Sequence, residues 1–222
     1  MNKTYLLSQI FQLIKKEFLL ELRNKFALGS ILLFGVSTVF IAFKAFNQFS
    51  VMTWNVMFWV LFLFISTNAI LKSFTQEKGS QALYLYTLLN PYYVIIAKMI
   101  YNLFFLSLVG IMIYILFIYF SINPVVHLGL FILDIVLVAY GLSVIFSFVS
   151  AIAAMENNSS VLMAVLGMPL VLPVLLSGIK ISTIALGITV DSELNTDLLL
   201  LFAINLMLTG AVIILFPILW KS

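Results

Sequence analysis

The chain has no cysteine, which excludes disulfides and thiolate metal sites, and a single histidine, His127. One histidine cannot hold a haem by bis-histidine ligation inside this chain, although a His–Met pair stays formally open. Charged residues make up only 9% of 222 positions, with 11 basic and 8 acidic side chains. Within that small set there is no G-x-x-x-x-G-K-[ST] phosphate loop, no H-E-x-x-H, no G-x-S-x-G and no cluster of carboxylates. The chain therefore reads as a non-enzyme without catalytic residues, and uphill work would draw on a partner or an ion gradient. The net charge of +3 reflects the basic residues that set membrane topology, described below, and is not read as a nucleic-acid footprint.

The sequence is filled instead by apolar residues: 64% are hydrophobic, and the mean hydropathy is +1.22. A soluble fold with so little charge would not stay in solution. A bilayer core about 30 Å thick needs about 20 apolar residues per helix at 1.5 Å rise each. The stretches Ala27–Phe43, Val51–Leu71, Met99–Phe120, Leu128–Met155, Ser160–Ile179 and Leu198–Leu219 meet or approach that length without strict alternation. They predict an all-α polytopic protein with six transmembrane helices in one permease domain over 1–222. Residues 1–26 precede them as an amphipathic segment, in which Leu7, Ile10, Phe11, Ile14, Phe18 and Leu22 recur at three- and four-residue steps. This pattern predicts a helix lying in the headgroup layer; a basic leader that is merely helical is the alternative.

With six spans and a cytoplasmic N-terminus, Lys3, Lys15, Lys16, Arg23, Lys25, Lys72, Lys78, Lys98 and Lys221 lie inside, leaving Lys44 and Lys180 outside. The positive-inside rule then places both termini in the cytoplasm. The interruption Lys72–Pro91, KSFTQEKGSQALYLYTLLNP, falls on the same side. Its polar start, helix-starting Ser80, anchors Ala82, Leu83, Leu85, Tyr86 and Leu89, and stop at Asn90-Pro91 suit either a partner's groove or the lipid surface.

Two spans carry further signals. Ala139, Ser143, Ser147 and Ala151 repeat every four residues, a small-residue stripe that allows close helix packing within the subunit or a homodimer seam. Pro169 and Pro173, four apart, share one face of the fifth span, and Gly178, Lys180 and Gly187 interrupt the moderately apolar stretch beyond them. Residues 174–196 are expected to form either outer half-helices or a loop after a kinked span. Asp134, the only acidic residue within a span, lies two turns after His127 and near the same face, close to the outer end of the fourth span; it is expected to snorkel to water there, and a proton-relay or ligand role is the alternative.

Several stretches together carry a resemblance. They are KKEFLLELRNK at 15–25, Trp54–Phe64 with the later Phe74-Thr-Gln-Glu-Lys-Gly79, Leu88-Leu-Asn-Pro91 leading to Ala97-Lys98, and the double-proline run VLGMPLVLPVLLSG from Val165 to Gly178. Their order resembles an ABC-2-type permease and, more narrowly, the CcmB family, haem exporter protein B of cytochrome c maturation. Where that family often has a basic, glycine-containing turn before span five, this chain has Glu156-Asn157-Asn158-Ser159. The resemblance implies a multi-pass subunit of the bacterial inner (cytoplasmic) membrane, forming a homodimer within a larger complex. The implied partners are a CcmA-like ATPase that binds ATP-Mg, CcmC-like and CcmD-like membrane subunits, and a CcmE-like haem chaperone, with haem as a substrate of the complex. It also implies an ATPase-coupling helix between spans two and three, carried by Phe74, Glu77, Lys78, Gly79, Leu83, Leu85, Tyr86, Leu89 and Pro91. A permease exporting a lipid, glycan or drug, or a carrier or assembly scaffold with no ATPase, would share the physical features.

Overall fold

The computed structural model describes residues 3–23, 25–45, 50–75, 91–155, 159–189 and 194–219. Among these it contains seven helices and no strand: α1 Lys3–Arg23, α2 Lys25–Ala45, α3 Val51–Thr75, α4 Pro91–Phe120, α5 Leu128–Met155, α6 Ser159–Ala185 and α7 Leu194–Leu219. Local chemistry sets several ends. Ser50 caps α3, its Oγ accepting from Thr53 N at 3.1 Å. Pro91 opens α4 at the position where a missing N–H costs nothing. The turn after α4 is closed by Asn123, whose Oδ1 accepts from Val125 N at 3.1 Å.

The end of α6 is a Schellman motif. Gly187 takes φ 68, Ile188 N donates to Thr183 O and Gly187 N to Ile184 O, each at 2.9 Å. The α4–α5 connection docks on the same end, because Val126 N and His127 N both donate to Ala185 O, at 3.0 and 2.9 Å. That connection and the C-terminus of α6 are thereby one hydrogen-bonded unit.

Five of the helices contain stretches long and apolar enough to cross a membrane: Val51–Ile70, Pro91–Phe120, Leu128–Ser150, Leu166–Ala185 and Leu194–Pro217. In α2 the corresponding run is shorter, Gly29–Ala45, so among the described residues five helices rather than six meet the length on their own. Large apolar side chains stay exposed along the bundle, among them Leu33 on α2 and Met207 and Ile214 on α7. Exposed apolar area of that extent is stable against lipid or another protein, not against water. α1 lies against α4, with the Phe18 ring 6.3 Å from that of Phe104.

α5 is the centre of the bundle, packed against α4, α6 and α7. The core beside it is aromatic: Trp54, Phe58, Trp59 and Phe62 of α3, Phe117 of α4 and Phe131 of α5 are each at most 2% exposed. Interhelical hydrogen bonds fix the register where apolar packing alone would not. Asn102 Nδ2 donates to Ser147 Oγ at 2.8 Å, Asn205 Nδ2 donates to Leu137 O at 2.9 Å, and the Tyr140 and Thr209 hydroxyls lie 2.7 Å apart. Each such bond in a membrane contributes about 0.6 kcal/mol on average.

Candidate functional site: a buried polar node among α3, α5 and α6

Of the residues singled out in the sequence for ATPase coupling, Glu77, Lys78, Gly79, Leu83, Leu85, Tyr86 and Leu89 lie outside the described residues. Phe74 falls in the last turn of α3 and Pro91 is the first residue of α4, so the described helices deliver the chain to both ends of that segment. The small-residue stripe is occupied within the subunit: Ala139, Ser143 and Ser147 are buried, with Ser147 accepting from Asn102 of α4. The side chain of Ala151 is outside the described residues.

In its first half the segment after Pro173 forms no separate half-helix. α6 continues as one helix through Pro169, Pro173 and Gly178 to Ala185, a turn covers 186–189, and residues 190–193 lie outside the described residues. Both prolines are exposed on α6. Ser177 Oγ donates to Pro173 O at 2.9 Å. Gly178 does not end the helix; it is where Val138 of α5 packs against α6. A Cβ at 178 would stand 2.5 Å from Val138 Cγ2, and one at Gly141 of α5 would stand 2.7 Å from Val174 Cγ1. The two helices are thus keyed together, a valine of each seated over a glycine of the other.

Next to this key lies a group of polar side chains in an otherwise apolar interior. Asn55 and Trp59 are one turn apart on α3, and Ser182 is one turn beyond Gly178 on α6. Asn55 Nδ2 donates to Ile179 O at 3.1 Å. Trp59 Nε1 is 2.8 Å from Ser182 Oγ and 3.1 Å from Asn55 Oδ1. Ser182 Oγ lies 2.7 Å from Asn55 Oδ1 and 2.9 Å from the carbonyls of Gly178 and Ile179. The hydroxyl has one proton and more than one acceptor within reach, so it can change partner without moving far.

Asp134 of α5 completes the node. It is 0% exposed, and neither carboxyl oxygen has a hydrogen-bond partner. Its Oδ1 faces Gly178, 3.6 Å from the position a Cβ there would take, with Trp59 Cη2 at 3.5 Å from the same point. The expectation that Asp134 snorkels to water is therefore corrected: the face of α5 bearing it turns into the bundle, toward α6. His127, by contrast, is exposed, so the two residues do not form one site. A readable signal existed, since Asp134 precedes the buried Val138 by one turn and shares its face.

A further polar pair at this end is Lys180 Nζ with Asp197 Oδ1 at 2.8 Å, tying α6 to the first turn of α7. An open groove of about 550 Å³ between α5 and α7, lined by Leu133, Leu137, Asn195, Leu198, Leu199 and Phe202, is mainly apolar and suits hydrocarbon. Among the described residues, no group of three or more His, Asp or Glu side chains is placed to hold a metal ion. The node can do two things chemically: hold α3, α5 and α6 in register, and offer an unspent acceptor where α5 meets α6.

Comparison with curated proteins and with solved structures gives no match. The profile of one protein family, described as CcmB protein, matches residues 8–218, nearly the whole chain. This polytopic helical chain belongs to the CcmB family.

Proposed function

We propose that the chain is the membrane subunit through which an ATPase drives delivery of haem for cytochrome c maturation, acting by releasing a haem-loaded chaperone. CcmB proteins are membrane components of haem-exporter ABC transporters and work with an ATPase and other membrane partners; the observation that carries the reading is the family match over 8–218. In this reading the ATPase is CcmA-like, the membrane partners are CcmC-like and CcmD-like, and the chaperone is CcmE-like. Residues 74–91 receive the ATPase, and the helices that flank this segment, α3 and α4, carry its movement into the bundle.

The topology is set by the charges. α2 is 21 residues long, about 31 Å at 1.5 Å per residue, so it crosses as a sixth span when Lys25 and Lys44 sit at the two interfaces. Six crossings return both termini to the cytoplasm of a bacterial inner membrane. The polar node then lies in the outer half, and residues 74–91 lie at the cytoplasmic face.

A mechanical role is supported by the packed interior. Phe58, Trp59, Phe62, Ile65, Ile113 and Phe131 are each 0% exposed, and such a core transmits displacement and leaves little space for a tetrapyrrole. The test is affinity purification of the tagged subunit in mild detergent from cells carrying out maturation. An ATPase should co-elute, with a Soret band on the eluate from the associated haem-handling subunits; elution with no ATPase would overturn the reading.

A further inference from the structure

Asp134 combines three observations that a structural role does not explain. It is wholly buried, it spends neither carboxyl oxygen on a hydrogen bond, and it faces α6 at a glycine. A buried acceptor without a partner lowers the stability of the arrangement that contains it. An acidic side chain within a membrane bundle ordinarily faces a partner or a pathway. Asp134 does neither in this arrangement.

We propose that Asp134 takes its hydrogen-bond partner in a second arrangement of α6 on α5, in which the Ser182 hydroxyl passes from Asn55 to the Asp134 carboxyl. This deepens the reading of the chain as an ATP-driven subunit, and rests on it, by naming the contact that distinguishes two states of the drive.

The geometry supplies both ends of the exchange. Asp134 Oδ1 lies over Gly178, and Ser182 is one turn further along the same face of α6. The distance to be covered is at most about the 5.4 Å rise of one turn, a displacement of the kind by which packed helices ratchet between discrete positions. The Val138–Gly178 and Val174–Gly141 seats make the two positions discrete, because each valine must leave its glycine before α6 can move. Asn55 Oδ1 is not stranded when Ser182 leaves, because Trp59 Nε1 of the same helix remains 3.1 Å from it, whereas the bond from Asn55 Nδ2 to the Ile179 carbonyl moves with α6 and must be exchanged for another carbonyl of that helix. In the described arrangement the hydroxyl rests on Asn55 and the helix carbonyls of Gly178 and Ile179.

Two measurements on the intact protein test this. First, Asp134→Leu in the purified subunit removes the unpartnered acceptor while keeping the side chain's branching. The apparent melting temperature should rise by about 2–4 °C, while ATP-dependent cytochrome c maturation in cells falls tenfold or more. A lower melting temperature would make Asp134 an ordinary structural residue and overturn the proposal, as would undiminished maturation. Second, infrared difference spectra of the complex with its ATPase, nucleotide-free against vanadate-trapped, should show a carboxyl band that shifts on trapping. The band should vanish in Asp134→Asn and lose its shift in Ser182→Ala. A difference spectrum unchanged by Asp134→Asn would overturn the exchange. The melting measurement needs no ATPase, so its failure is distinguishable from a failure of the ATPase partnership, which shows in the wild-type purification.

Discussion

The seat between Gly178 and Val138 can be broken and rebuilt by two small substitutions. Gly178→Ala places a Cβ 2.5 Å from Val138 Cγ2, far inside van der Waals contact. Val138 is 0% exposed and, being β-branched in a helix, is held near one χ1 rotamer, so its methyl cannot swing aside. α5 and α6 must part instead, an overpacking cost of about 1–3 kcal/mol. Against this stands the helix-propensity gain of Gly→Ala, about 1 kcal/mol. The net expectation in the wild-type background is a loss of up to about 2 kcal/mol. In a Val138→Ala background the clash is gone and only the propensity gain remains, so the double-mutant cycle should show a favourable coupling of about 1–3 kcal/mol. Gly210→Ala is the control, because no atom lies within 4 Å of the added methyl and that substitution should stabilise. The assay is reversible unfolding of the purified subunit in mixed micelles with increasing denaturing detergent. Strict additivity of the two substitutions, with Gly178→Ala as benign as Gly210→Ala, would refute the seat as the organiser of this interface.

Single contacts give further expectations. Gly187→Ala forces a Cβ onto a residue at φ 68 with Val126 Cγ2 3.3 Å from it, and should cost about 1–2 kcal/mol in the same unfolding assay. Asn55→Leu removes one of two acceptors of Trp59 Nε1 and the donor to Ile179 O; it should destabilise by about 1–3 kcal/mol, whereas Thr38→Val, which removes only a bond to its own helix carbonyl at Phe34, should stay within about 0.5 kcal/mol of wild type. Lys180→Met leaves the 7%-exposed Asp197 carboxylate without its cation, and should cost more at low salt than at high salt, with Asp197→Asn restoring part of the loss.

The helices themselves are legible because a bilayer imposes one length and one composition on every span. The stretch expected at Leu128–Met155 is α5 residue for residue, and Val51–Leu71 and Leu198–Leu219 differ from α3 and α7 by four residues at one end. Hydropathy misses the first two turns of α4, where Tyr92, Tyr93 and Lys98 dilute the apolar signal although Pro91 marks the start. It also ends the fifth span beside Gly178, reading as a breaker a glycine whose absent side chain is what Val138 requires. The polar node is not legible: Asn55 and Ser182 meet across 127 residues, and nothing local in either span announces the other. For Asp134, nearness to a helix end points to water, whereas its helical phase relative to Val138 is what decides its direction.

The central claim is that this subunit turns nucleotide-driven movement at residues 74–91 into release of a haem-loaded chaperone, and reconstitution with its ATPase and haem-handling partners tests it most directly. Chaperone released per ATP hydrolysed should fall at least tenfold in a Glu77→Ala, Leu85→Ala double variant that still inserts in the membrane. Release that keeps the wild-type ratio in that variant would contradict the account.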